Sequence, residues 1–324
     1  MQAETSRQSV SVVCPVFNEC ENLPELYEQL RAALDITALP WEILFVDDGS
    51  TDGSNEVIQR LHEGDSRVRG ILLSRNFGHE AAATAGIELA GGDAVILMDA
   101  DLQDPPSLIP ALVEKWHEGY DIVCAQRTAR HQDSAFKRTS AYLFYRAMTL
   151  LVGWNLPADT GNFRLMNRAA VEAFRNCPER NRFVRALVAW TGFRQTTVPF
   201  ERPPRQAGKS KYRTWQMFAL ALTSITSFSV APLRIATAIG LLVVPFATLT
   251  VLGILVGRLF GAPVPVNVVV VASIWFFGGL QCLLVGIVGE YVGRIYIEAQ
   301  HRPLYIIRRH LGEANAGIVR RRAE

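Results

Sequence analysis

The chain has 324 residues, 49% of them hydrophobic, and 33 Lys and Arg against 31 Asp and Glu leave a net charge of +2. That length allows one large domain or two small ones, and the near-neutral charge excludes a polyelectrolyte partner such as nucleic acid. The five cysteines (Cys14, Cys20, Cys124, Cys177, Cys282) have neither Cys-x-x-Cys pairing nor disulfide-like spacing, which argues against a zinc site and for a reducing compartment.

Met1 to Ser9 is polar, so no secretory leader is expected. Ser9 to Val13 reads as a strand that runs into the loop Cys14-Pro15-Val16-Phe17-Asn18-Glu19, and Glu21 to Leu34 has helical periodicity. Trp41 to Val46 is a second strand. It ends in Asp47-Asp48-Gly49-Ser50-Thr51-Asp52-Gly53-Ser54, a loop of acidic and small residues with a helix N-cap at Ser50 or Asp52. Glu56 to His62 reads as helix, Val68 to Ser74 as strand, and Glu80 to Ala90 as an Ala-rich helix. Asp93 to Met98 is a fourth strand, Ser107 to His117 a helix opened by Pro105-Pro106, and Asp121 to Ala125 a fifth strand.

Strands alternating with helices predict an α/β fold, a mostly parallel sheet with helices on both faces. Ligands bind such sheets outside the carboxyl ends of the strands. Three motifs fall at those ends: Pro15 to Glu19, Asp47 to Ser50, and Asp99 to Gln103. The absence of a Gly-x-Gly-x-x-Gly loop argues against a dinucleotide-binding domain. Asp99 and Asp101, one residue apart at a strand end, are expected to point the same way. Such a pair suits Mg²⁺ or Mn²⁺, which usually also hold substrate phosphates. Taken alone, the two aspartates would serve equally as solvated turn residues.

Beyond the fifth strand the composition shifts. Ile235 to Gly257 and Leu259 to Gly289 carry no charge, with Pro263-Val264-Pro265 as a turn between two expected transmembrane helices. Basic flanks would place both termini in the cytoplasm of a multi-pass inner-membrane protein. Trp215 to Ser229 reads as an interfacial helix, with Arg294 to Arg309 as its amphipathic partner. The expected division is thus a sheet domain over 1–212 and an interfacial helix over 213–233. Spans over 234–258 and 266–289 follow, joined by a turn over 259–265, and then a tail over 290–324.

Five motifs together carry a resemblance. They are Pro15-Val16-Phe17-Asn18-Glu19, Asp47 to Gly53, Arg75-Asn76-Phe77-Gly78, Asp99-Ala100-Asp101-Leu102-Gln103-Asp104-Pro105-Pro106, and Asp159-Thr160-Gly161-Asn162-Phe163-Arg164. The set resembles the family 2 glycosyltransferases of GT-A fold. Within them it is similar to the polyprenyl-phosphate sugar transferases, namely dolichol-phosphate mannose synthase and the bacterial undecaprenyl-phosphate glucosyltransferases. The match covers Ser9 to about Tyr212, and the two-stretch tail matches the bacterial branch.

The resemblance implies inverting transfer of a hexose from a nucleotide sugar, UDP-linked, to undecaprenyl phosphate. It assigns Pro15, Phe17, Glu19, Asp48 and Arg75 to the donor nucleotide sugar. An aromatic ring can pack on a base face and an Asp can accept from a base N–H, although packing within the fold would also account for Phe17. Asp99, Asp101 and Gln103 become the Mg²⁺ or Mn²⁺ set, with Asp99 also able to touch donor ribose or sugar. Asp159 falls near the acceptor, as base or orienting group, and a turn Asp before Gly161 is the plainer alternative. Arg127, Lys137, Arg138 and Arg164 are candidate acceptor-phosphate cations. Arg205, Ser210 and Lys211 match a mobile loop over the site, in a segment that would equally make a basic lipid-facing patch. His79 stands where relatives often carry Lys, and capping the following helix is its alternative use. A GDP-mannose-dependent synthase and a non-catalytic nucleotide-sugar binder remain rivals. A processive polymerase is a third, though its Gln-x-x-Arg-Trp string is absent. Dimer and tetramer are both open.

Overall fold

The computed structural model describes residues 8–128, 160–179, 182–201 and 266–312, with scattered positions from 233 to 260. The described residues fall into two compact units. The first takes in everything up to Glu201 and resumes at Arg302; the second ends at His301.

The first unit is built on one eight-stranded sheet. Its strands are β1 (Val10–Val16), β2 (Trp41–Asp47), β3 (Val68–Leu73), β4 (Ala94–Leu97), β5 (Ile122–Arg127), β6 (Thr160–Asn167), β7 (Gln195–Phe200) and β8 (Ile307–Leu311). Their order is β7-β5-β6-β4-β1-β2-β3-β8. β1 lies parallel between β2 and β4, with Val12 opposite both Ile43 and Ile96. β3 continues the parallel set. β6 runs antiparallel between β4 and β5, and β7 pairs parallel with β5. The sheet expected to be mostly parallel therefore has a parallel half and an antiparallel wing.

Among the described residues six helices flank it: α1 (Leu23–Ile36), α2 (Ser54–Gly64), α3 (His79–Leu89), α4 (Ile109–His117), α5 (Arg168–Arg175) and α6 (Val184–Trp190). The first, second and fourth share one face. Their apolar residues Leu23, Leu26, Leu30, Ile58 and Leu112 pack on Val10, Val12, Ile43, Phe45 and Ile96. α3, α5 and α6 contact one another on the other face. There α3 sits very close to the sheet, because a Cβ on Gly86 would run into the Val13 side chain. Three of its eight buried residues are alanines, and with Gly86 they permit that approach.

The structure extends the expected elements in three places. β6 arises from a stretch read only as a motif, and β7 was not expected at all. β8 lies in a segment expected to be an amphipathic helix. Helix stops at Ala299, and Ile307–Leu311 instead pairs antiparallel with β3, covering what would otherwise be a bare sheet edge. Gly70 on β3 makes room for it, since a Cβ there would lie 2.8 Å from both Ile58 Cγ2 and Leu311 Cδ1. Tyr305 anchors the approach by donating its hydroxyl to Glu88 Oε2 at 2.6 Å, while Glu88 Oε1 is paired with Arg182 Nη1 at 2.8 Å.

The second unit contains α7 (Val266–Ala299). A bilayer span needs about 20 consecutive apolar residues in one helix. Among the described residues no helix is long and apolar enough to cross a membrane. α7 carries Asn267, Ser273 and Gln281 along its uncharged part, and Glu290, Arg294 and Glu298 beyond it. Residues 234–258 are described only at scattered positions. This finding overturns the expectation of a multi-pass inner-membrane protein. The interfacial helix expected over 213–233 lies outside the described residues apart from its last position.

Candidate functional site

The carboxyl ends of β1 and β2 and the start of α3 enclose a cleft of about 130 Å³ lined by Pro15, Phe17, Asp48, Gly78 and His79. Phe17 is 43% exposed, so it is displayed at the cleft and not packed in the core. Its loop is tied down by its neighbours. Asn18, at φ 57, donates its N–H to Ser50 Oγ at 2.9 Å, and its own Oδ1 accepts from Thr51 N–H at 2.9 Å. The Glu19 N–H donates to Ser54 Oγ and the Cys20 N–H to Asp52 Oδ2, both at 3.0 Å. Burial pushes the Asp52 carboxyl up, but the Ser54 hydroxyl and the Cys20 N–H outweigh it and hold it at about 2. Glu19 itself turns to Asn22, accepting from Nδ2 at 2.5 Å.

Asp48 is buried, and both its oxygens meet backbone. Oδ1 accepts from Phe77 N–H at 2.7 Å and Oδ2 from Gly78 N–H at 2.9 Å. Burial raises its pKa above the ordinary carboxylate value, and those two bonds offset part of the rise. The adjoining Gly49 has φ +72, and a Cβ there would lie 2.6 Å from the Arg75 carbonyl carbon. Only glycine allows the two loops to touch backbone to backbone. Arg75 stacks over the Phe77 ring at 4.2 Å.

β4 ends at Leu97, so Asp99 and Asp101 lie in the loop beyond it and not on extended strand. Leu102, at φ 58, turns that loop back, and the Gln103 N–H donates to Asp101 Oδ1 at 3.2 Å. No other described residue donates to the Asp101 carboxylate. Asp99 Oδ1 lies 3.4 Å from His79 Nε2 and accepts from Asn162 Nδ2 at 3.2 Å. Among the described residues no three His, Cys, Asp or Glu side chains gather to hold a metal unaided. The donor set still fits a hard cation. Asp99, Asp101 and Gln103 offer oxygen alone, and Mg²⁺ is usually held by one or two carboxylates plus substrate phosphates.

On the wing, arginines converge on the start of β6. Arg164, only 3% exposed, donates to Gly161 O at 2.8 Å, Asn162 O at 3.3 Å and Arg185 O at 3.5 Å. Burial lowers its pKa. Arg185 donates to Thr160 O at 3.2 Å. Arg127 Nη2 lies 3.7 Å from the buried Asp104 Oδ1. Arg164, expected as an acceptor cation, is thus committed to backbone carbonyls, whereas Arg127 remains part-exposed at the strand end. Asp159, Lys137, Arg138, Arg205, Ser210 and Lys211 lie outside the described residues. Sequence reasoning gave no role to Asn162, Arg185 or Asp104. Asn162 and Asp104 fall inside the quoted motifs, but Arg185 has no motif to mark it.

The chain belongs to glycosyl transferase family 2, whose model matches residues 11–175. It is 42% identical over 313 residues to the uncharacterized glycosyltransferase YkcC of Bacillus subtilis (strain 168), covering 96% of each chain. It is 42% identical over 300 residues to the bactoprenol glucosyl transferase of Shigella phage SfV, covering 92% of this chain and 98% of that one. The prophage bactoprenol glucosyl transferase homolog of Escherichia coli (strain K12) is 41% identical over 301 residues, with 93% and 98% covered. Among solved structures, a glucosyl-3-phosphoglycerate synthase from Mycobacterium tuberculosis with Mn²⁺, uridine diphosphate and phosphoglyceric acid is 17% identical. Its TM-score of 0.46, over 68% of this chain and 76% of that one, is too low to carry an argument.

Proposed function

We propose that this glycosyltransferase moves glucose from UDP-glucose to bactoprenol phosphate, that is undecaprenyl phosphate, with inversion at the anomeric carbon. The observation that carries the reading is the likeness to bactoprenol glucosyl transferases along nearly the full length of both chains. The cleft supports it. Pro15 and the displayed Phe17 offer an apolar platform for a base. Asp48 retains lone pairs beyond the two bonded to Phe77 and Gly78, and they would accept from a base N–H. Arg75 flanks the same loop.

An acceptor phosphate oxygen attacks the anomeric carbon while the bond from that carbon to the donor diphosphate breaks. The electron pair leaves on the nucleoside diphosphate. Asp101, with Asp99 and Gln103, would hold Mg²⁺ or Mn²⁺, which as a Lewis acid supplies charge neutralisation of the leaving diphosphate. A phosphate nucleophile is already ionised near neutral pH, so Asp159 has only to orient the acceptor or accept a bond from it. Arg127, Arg138, Arg205, Ser210 and Lys211 are the groups for the acceptor phosphate, with bidentate arginine contacts giving orientation as well as charge. Arg164 instead holds the start of β6 through the Gly161 and Asn162 carbonyls.

The test is transfer from a panel of UDP- and GDP-sugars to undecaprenyl phosphate in detergent, with Mg²⁺, Mn²⁺ or chelator. Lipid-extractable glucose from UDP-glucose, abolished by chelator, is the expected result. Label from another donor would change the sugar, and polymer or binding without turnover would replace the reading.

A further inference from the structure

The antiparallel register of β4 and β6 sets Leu97 opposite Arg164. β4 stops there, and the loop beyond it brings Asp99 up to Asn162 of β6. The contact is made: Asn162 Nδ2 is 3.2 Å from Asp99 Oδ1 and 2.7 Å from His79 Nε2. A carboxylate only accepts, so the amide group facing Asp99 is the NH₂, and His79 Nε2 is then its second acceptor. Three side chains from three elements thus form one cluster: the loop after β4, the first residue of α3, and β6. Asn162 is itself held from behind, its carbonyl accepting from Arg164 Nε at 3.3 Å.

We infer that Asn162 is a positioning residue, which sets the Asp99 carboxylate beside the His79 ring of the donor cleft and ties both to the start of β6. This rests on the reading of the cleft as a nucleotide-sugar site. The amide occupies Asp99 Oδ1 and leaves Oδ2, to which no described residue donates, for the donor side. His79 lines the same cleft as Phe17 and Asp48, so one amide aligns a cleft-lining ring with the neighbouring Asp99 carboxylate. Asn162 need not touch substrate to do this.

The experiment is a double-mutant cycle of Asn162→Ala and His79→Ala on the full chain, read as kcat and donor KM for glucosyl transfer. Each single variant is expected to lose about ten- to a hundredfold in kcat, the scale of a misplaced reacting geometry, with donor KM within about threefold. The double variant should be no worse than the poorer single one, because the groups act as a unit. Wild-type kcat in Asn162→Ala, or additive losses, would overturn the inference and leave the proposed function standing. If the wild-type chain transfers nothing, calorimetric binding of UDP with Mn²⁺ takes over as the readout. Non-additive changes in binding enthalpy across the same cycle then support the inference although the proposed acceptor fails, and additive changes, or no binding by either chain, overturn it.

Discussion

The parallel half of the sheet and its antiparallel wing solve the same problem with opposite charge. Around β1, β2 and β4 the loops are held by carboxylates that accept from backbone N–H groups: Asp48 from Phe77 and Gly78, Asp52 from Cys20, Asp101 from Gln103. At the start of β6 the backbone is held by arginines that donate to carbonyls: Arg164 to Gly161 and Asn162, Arg185 to Thr160. The half that would take a cation and a diphosphate is built from anions. The wing that would face an anionic acceptor is built from cations. On the proposed function, each set of loops would be shaped by the charge that its ligand needs, with structure and electrostatic complementarity drawn from the same side chains.

Breaking the donor half at Asp101 should have the largest effect. Asp101→Ala is expected to lower kcat at least about a hundredfold, in the range seen when one preorganised electrostatic group is removed. Its melting temperature should stay near wild type, since Asp101 makes one local bond. Substantial activity in that variant would remove Asp101 from the cation set. Breaking the wing should instead cost stability. Arg164→Met strips three carbonyls of their donor in a buried place, and about 2–4 kcal/mol should be lost in denaturant unfolding. A change within about 0.5 kcal/mol, the usual range for surface substitutions, would mean that the wing does not depend on its arginines.

Gly49→Ala sharpens the contrast from the donor side, because it forces a side chain onto the Arg75 backbone at φ +72. About 1–3 kcal/mol of strain is expected, with donor kcat/KM falling more than unfolding data alone would explain. The smallest effect is a pH dependence. Asp52 is held at about 2, below its ordinary 3.8, so it contributes stability above pH 3.8 that is lost as pH falls towards 2. Asp52→Asn should flatten the melting-temperature slope in that window and leave it unchanged at neutral pH. An unchanged acid slope would show that the Ser54 and Cys20 bonds do not stabilise the charged form.

How much of this was legible follows the distance along the chain between interacting residues. The strands Trp41–Asp47 and Ala94–Leu97 and the helices between them announce themselves by local apolar period and by Gly and Pro punctuation. The cleft residues Pro15, Phe17 and Asp48 lie in motifs at readable strand ends and take their donor role from the family resemblance, and the structure brings these three together. Phe17 needed the fold to choose between packing and display. The charged tail misled in a definite way: Ile307–Leu311 has few residues and two arginines, and its pairing with β3 depends on the gap left by Gly70, far away in sequence. The uncharged stretches over 234–258 and 266–289 read as spans, whereas no described helix is long and apolar enough to cross a membrane.

By itself the sequence determined the order of alternating elements, the parallel half of the sheet, the membership of family 2 and the identity of the acidic loops. These are properties of short runs, where side-chain period and turn residues act within a few positions. Only the tertiary structure decided that β6 enters antiparallel between β4 and β5, that Arg164 turns inward to carbonyls, and that Asn162 and His79 meet at Asp99. The pairings of β6 and the meeting at Asp99 depend on contacts between segments far apart in sequence, 63 and 83 positions for Asn162 with Asp99 and His79. Register is set by how whole faces bury against one another, and no local pattern contains it.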